Sequence, residues 1–217
     1  MKKETNPKSY HHKDLKEQVI RQTIAFVSES GFENLSLRKI AAQTGVAHTA
    51  LYHHFKNKED LLADTATTLI EEFMINIRNS NEKYGKEPYQ QLFNYGYMYI
   101  EYAWNHKNLF RLMFGNHQLD PLKFPRMREV SGDAMRYLIE LIVHCQKLKL
   151  VKKGPPLQIA MAIRSITHGY ATLLVDNRIS ALKDYGFDAD FSIKELNDFI
   201  FEVLKNGILI ETKKFFL

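Results

Sequence analysis

Apolar positions along this chain recur at spacings of three and four, the interval that keeps side chains on one face of an α-helix. Over residues 13–30, Leu15, Val19, Thr23, Phe26 and Val27 share such a face, and Gly31 stops the run. A second helix is predicted to start at Ser36, whose hydroxyl suits the free N–H groups of a first turn. It carries Leu37, Ile40 and Ala41 inward and ends near Gly45. A third, short helix is expected over 47–54 with Leu51 on its buried side. A fourth runs from Asn57 past Glu72 through Leu61, Leu62 and Leu69. After a break at 85–88, Tyr89, Leu92, Phe93, Gly96, Ile100, Ala103 and Trp104 mark another buried face. Between 125 and 150, Met127, Val130, Ala134, Leu138, Leu141, Cys145 and Leu148 do the same. Residues 151–156 read as a loop, and two more helices are expected, over 157–182 and 193–213, separated by a turn at 184–190.

With six prolines and ten glycines clustered in a few places, the chain lacks the regular punctuation of a small-strand sandwich. An all-α fold of about nine helices is the expectation. Its length of 217 residues allows one or two domains. The polar stretch 1–12 reads as a flexible arm, followed by domains at 13–73 and 74–217. Apolar runs such as 137–143 fall far short of the roughly 20 residues of a membrane helix. No secretory leader is visible, so the cytoplasm is the expected location. The single cysteine, Cys145, falls on a core stripe and cannot form an internal disulfide. A net charge of +5 permits a nucleic-acid partner without establishing one. Its distribution is more telling: residues 1–60 hold ten Lys or Arg against seven Asp or Glu, and five of the nine histidines.

The same region has a two-turn helix, a tight turn at Gly45 and a second short helix, the layout of a helix-turn-helix whose second helix enters the DNA major groove. Val46, Leu51 and Phe55 supply its anchors. His48, Thr49, Ala50 and His53 are the candidates for reading bases. Tyr52, Lys58 and the helix start at Ser36 suit phosphate, and Arg38 and Ala47 complete the expected DNA-binding set.

Residues 35–61, LSLRKIAAQTGVAHTALYHHFKNKEDL, resemble the TetR family of transcriptional regulators. The family's pattern falls on Ile40-Ala41, Gly45-Val46, Leu51-Tyr52 with Phe55, and Lys58-Glu59 with Leu61. One departure is Ala47, where the family usually places a small polar residue that caps the recognition helix; its loss costs roughly 1 kcal/mol. Farther on, His168-Gly169 with Ala171 and Leu173, and the stretch 109–115, are similar to the family's tryptophan-histidine-glycine subgroup, with Arg164 at the tryptophan position. The resemblance implies a homodimeric repressor of a palindromic operator on double-stranded DNA. It also implies a small-molecule effector that moves the fourth helix and so respaces the two recognition helices.

For the dimer, the apolar stripes of the last two helices are the candidates: Ile159, Ile163, Ile166, Tyr170 and Leu173 on one, Leu196, Ile200, Val203, Leu204 and Ile208 on the other. Two helices from each copy would make a four-helix interface, with packing inside one chain as the alternative. For an unidentified apolar or aromatic effector, the candidates are Tyr99, Trp104, Phe110, Met113, Met135, Arg164 and His168. The aromatic density between Tyr84 and Phe124 is otherwise core packing, and Arg164 pairs either with an anionic ligand or with a carboxylate such as Glu140. Adjacent histidines such as His53-His54 point about 100° apart on a helix and do not chelate together, so no metal, and no other cofactor, is expected. Nor is there a phosphate-binding glycine loop or a nucleophile elbow, so no catalytic residue is assigned. The rival readings are a DNA-binding protein of the same fold without an effector, and an all-helical enzyme.

Overall fold

A computed structural model of the chain describes residues 7–115, 119–188 and 192–208. Nine α-helices and no β-strand occur among the described residues: α1 (Pro7–Ser30), α2 (Leu37–Thr44), α3 (His48–Tyr52), α4 (Lys58–Glu82), α5 (Pro88–Asn105), α6 (Lys107–Phe110), α7 (Pro125–Lys147), α8 (Pro156–Val175) and α9 (Ile193–Ile208). A π-helical turn, Arg111–Gly115, follows α6, and a 3-10 turn, Ser180–Tyr185, follows α8. Among the described residues no helix is long and apolar enough to cross a membrane.

The helices form two compact units, one of Met1–Glu71 and His106–Val130, the other of Glu72–Asn105 and Ser131–Leu217. In the first, α1 buries Val19, Thr23 and Val27 completely, one per turn, as the four-residue spacing requires. The Thr23 hydroxyl is satisfied by donating to the Val19 carbonyl at 2.8 Å. The helix starts at Pro7 rather than at residue 13, so 7–12 are helical, not part of an arm. Proline is compatible with a first turn because the N–H it lacks has no partner there. The expected boundary at 73/74 also differs from this division, because α6 packs on α1 and Asn108 Nδ2 donates to the Ser28 carbonyl at 3.0 Å. Leu109, Phe110, Leu112 and Met113 are buried in the same unit. Arg126 grips both carboxylate oxygens of Glu71, at 2.7 and 2.9 Å.

The second unit buries Leu92, Leu138, Leu141, Ile142, Cys145, Val151, Ala160, Ile163 and Leu204 in one cluster drawn from α5, α7, α8 and α9. Burial pushes the Cys145 thiol up to about 12, which keeps it protonated and inert. Gly96 serves a close approach: a Cβ there would lie 2.9 Å from the Phe201 ring. Two apolar positions and one helix end depart from expectation. Leu148 is exposed because α7 ends at Lys147, just before Lys149 takes a positive φ of 58°. Trp104, at the last turn of α5, is 43% exposed. Finally, α8 stops at Val175 instead of continuing to 182, since Asn177 adopts the left-handed region at φ 56°, which Asn tolerates and a helix does not. The expected end of α9 near Lys213 lies outside the described residues.

Where α4 ends, a buried amide organises three helices. Asn81 Nδ2 donates to the Tyr137 hydroxyl at 2.8 Å and to the Gln91 carbonyl at 3.3 Å, while Asn94 Nδ2 donates to Asn81 Oδ1 at 2.8 Å. Asn81→Ala removes three hydrogen bonds made by a buried side chain to half-buried partners and is expected to cost about 1–3 kcal/mol. Urea unfolding checks this; a midpoint unchanged from wild type contradicts it.

Candidate nucleic-acid interface

Ser36 stands in extended conformation and its Oγ accepts the Lys39 backbone N–H at 3.2 Å, so α2 is capped as its sequence requires. At the other end Gly45 takes φ 68°, and the Ala41 carbonyl accepts the N–H groups of both Gly45 and Val46. A Cβ at Gly45 would meet nothing within 4 Å, so the glycine is there for its backbone angle and not for space. That left-handed turn directs the chain into α3, which is five residues long. Leu51 and Phe55 are fully buried and fasten it, and Phe55 N–H donates to the Leu51 carbonyl at 2.8 Å. The outward residues are His48, Thr49, Tyr52 and His53, with Ala50 half-buried and Ala47 exposed. The rings of His48 and Tyr52 meet edge to face at 4.9 Å, one turn apart, which restricts both.

Behind α3, the start of α4 carries a reciprocal cap: Asn57 Oδ1 accepts Asp60 N–H at 2.8 Å and Asp60 Oδ2 accepts Lys56 N–H at 3.0 Å. Lys58 is half-buried and donates from Nζ to the Glu33 carbonyl at 2.7 Å. Desolvation lowers its pKa, opposed by Glu33 and helped by Lys39. The same side chain therefore ties α4 to the loop before α2 and keeps two N–H donors for an anion. Lys39 donates to the neighbouring Asn34 carbonyl at 2.8 Å. Sequence reasoning passed over Lys39; its place in the first turn of the Ser36-capped helix, three residues after the cap, was the available signal. Arg38 is exposed beside it.

The residues expected around an effector are divided between the two units. Phe110 and Met113 are buried in the first unit, and the other five belong to the second. There the Tyr99 hydroxyl lies 2.8 Å from His168 Nδ1. Burial raises the tyrosine pKa and lowers that of the histidine, so a protonated phenol and a neutral imidazole share this hydrogen bond. Met135 is half-buried against the main cluster, whereas Trp104 and Arg164 are exposed. Among the described residues no ion pair joins Arg164 to Glu140; its charge acts on Tyr95, Tyr99 and His168 instead. No group of three or more His, Cys, Asp or Glu side chains among the described residues could hold a metal ion.

Of the residues expected at a dimer interface, Ile163, Tyr170 and Leu204 are buried within the chain, and Ile159 and Ile200 are half-buried against its clusters. These five pack at least in part inside the chain. Ile166, Leu173 and Val203 are exposed, and the structure adds Leu157, Met161 and Phe199 to them. The side chains of Leu196 and Ile208 lie outside those described.

Residues 19–65 match the family "Bacterial regulatory proteins, tetR family", and residues 92–196 match "Tetracyclin repressor-like, C-terminal domain". The chain belongs to the TetR family. TetR-family proteins are DNA-binding transcriptional regulators, and the matched segments include α2, α3 and the greater part of α5 to α8. The uncharacterized HTH-type transcriptional regulator YerO of Bacillus subtilis is 25% identical over 195 residues, covering 85% of this chain and 64% of YerO. Tetracycline repressor protein class C of Escherichia coli is 40% identical over 55 residues, a quarter of each chain. The chain thus spans less than two thirds of the length of either relative. A solved structure of a protein of unknown function from Rhodococcus sp. RHA1 has the same fold, with a TM-score of 0.75, 21% identity, and coverage of 90% of this chain and 96% of that one.

Against the TetR pattern Ala47 is the exception, and the structure bears its mark: α3 has no side-chain cap. Ala47 has φ −61° and ψ 134°, within the range of a capping residue. Ala47→Ser is expected to stabilise the fold by about 1 kcal/mol, read as a higher midpoint in urea. A midpoint equal to or below wild type would show that a serine finds no partner at this turn.

Proposed function

We propose that this chain is a ligand-responsive transcriptional regulator that binds a roughly palindromic operator as a homodimer and is released by a small apolar or aromatic effector. Repression is the family's usual mode. The observation that carries the reading is α3, a helix whose apolar side is wholly buried while His48, Thr49, Tyr52 and His53 stand exposed. His48, Thr49 and His53 offer donors and acceptors to base edges; Ser36, Arg38, Lys39, Tyr52 and Lys58 supply the phosphate contacts that set register.

Residues 13–73 carry the DNA-reading function and 74–217 carry effector binding and dimerisation. The dimer forms through the exposed apolar stripes, Leu157, Met161, Ile166 and Leu173 on α8 with Phe199 and Val203 on α9. Gly169 and Gly207 support this, since beyond their own helix turn a Cβ at either would meet none of the described residues within 4 Å, leaving room for another helix. Tyr99, Met135 and His168 are the effector residues on α5, α7 and α8. An effector acts only through unequal affinity for two shapes of the dimer. The relatives' names are those of regulators, which favours this reading over an enzyme, and a DNA partner favours a cytoplasmic location.

The test is binding of the purified chain to a duplex from upstream of its own gene, titrated with salt against an unrelated duplex. Thr49→Ala and His53→Ala are expected to narrow the preference for the operator by about 1–3 kcal/mol each. Arg38→Ala is expected to weaken both duplexes alike and to lower the salt slope by about 1. Uniform weakening by Thr49→Ala and His53→Ala, with the preference intact, overturns the assignment of base-reading residues.

A further inference from the structure

We infer that Lys16, on α1 and outside the helix-turn-helix, is a positioning residue that sets α3 for DNA. Its ammonium stands where three parts of the first unit meet. Nζ lies 2.6 Å from Asp64 Oδ2 on α4 and 5.7 Å from the centroid of the Phe55 ring, over its face. Phe55 follows the end of α3 by three residues, is fully buried, and ties back to that helix through its N–H on the Leu51 carbonyl. Since Leu51 and Phe55 are the buried side chains that hold α3, whatever fixes the Phe55 ring helps to fix the helix.

Lys16 occupies a place on α1 that a core residue could fill. It precedes the buried Val19 and Ile20 by three and four residues, and so stands at the end of the inward stripe. A half-buried charge there needs partners, and it has two: a carboxylate, and the negative face of an aromatic ring. Among the described residues neither Lys16 nor Asp64 has another ion pair. Their side chains are 38% and 27% exposed, and a pair this open to solvent adds little to the stability of the fold. It acts on geometry instead. Asp64 keeps the cation from swinging into solvent, and the cation restricts the ring beneath it. A ring free to tilt lets a five-residue helix shift with it, and base edges demand a closer placement than phosphates do. The inference rests on the reading of α3 as the base-reading helix.

The probe is a duplex that the wild-type chain selects from a random-sequence pool, with a shuffled duplex of the same composition as reference, both titrated with the full chain by fluorescence anisotropy. Lys16→Met is expected to bind the selected duplex at least about fivefold more weakly, with a smaller loss on the shuffled one. Lys16→Arg, which keeps a cation for both the carboxylate and the ring, is expected to restore most of that loss. Asp64→Asn separates positioning from charge. Removing a negative charge by itself tightens DNA binding, whereas a displaced α3 weakens the selected duplex and leaves the shuffled one as tight as before or tighter. All three variants are expected to unfold in urea near the wild-type midpoint. Selected-duplex affinity of Asp64→Asn equal to or above wild type, equal loss on both duplexes for Lys16→Met, or Lys16→Arg as weak as Lys16→Met overturns the inference. If the wild-type chain enriches no sequence from the pool, the reading of α3 fails, and the inference with it.

Discussion

A helix of five residues has no stability of its own, because the first turn fixes several residues for a single hydrogen bond. What exists as α3 exists because Leu51 and Phe55 are buried to nothing and because Gly45 supplies a left-handed angle that brings the chain in at the right slope. Ala47 adds no cap to help it. Everything outward on this helix is therefore positioned by what lies inward. Its surroundings follow the same logic: Ser36 fastens the start of α2, Asn57 and Asp60 fasten the start of α4, and Lys58 links α4 to the Glu33 carbonyl. A short, rigidly backed helix is what a base-reading element needs, since freedom lost on folding is not lost again on binding.

The other unit is governed by helices with more than two kinds of face. On α9, Ile200 and Leu204 pack inward, Phe199 and Val203 stand exposed, and Asp198, Phe201 and Glu202 line a cleft together with Tyr89, Phe93 and Tyr97 of α5. With 100° between successive residues, three such faces fit around one helix. On α8, Ala160, Ile163, Thr167, Tyr170 and Leu174 are buried while Leu157, Met161, Ile166 and Leu173 are not. An apolar arc that survives folding marks a surface for association. The Tyr170 hydroxyl, buried and without a hydrogen-bond partner among the described residues, lies on the inner arc.

The DNA-binding end was legible because each feature has a local cause. Ser36, Gly45, Leu51 and Phe55 each act within a few residues of their own position, and the structure places all four as the spacing implied. In α8 the reading fell short for a physical reason: nearly the whole circumference is apolar, so periodicity finds the helix but cannot say which arc faces the core. The stripe points Ile163 and Tyr170 at a second copy, and the fold buries both; Leu157 and Met161 lie off that stripe and stand exposed. Trp104 misled in a similar way, because it continues the step of α5 at a turn where the core has ended. The end of α8 was missed because Asp176-Asn177 is polar enough for a surface turn of helix, and only the backbone shows Asn177 left-handed. The cleft between α5 and α9 was not legible at all, since tertiary structure brings those helices together.

The account stands on two copies of α3 reading one operator through a shared two-fold axis. Hydroxyl-radical footprinting of the protein on its operator measures this directly. The account predicts two equivalent protected half-sites, centred about one helical turn, near 34 Å, or a multiple of it apart, with the sequence of one the inverted repeat of the other. A single protected segment, or two segments arranged as a direct repeat, would contradict it.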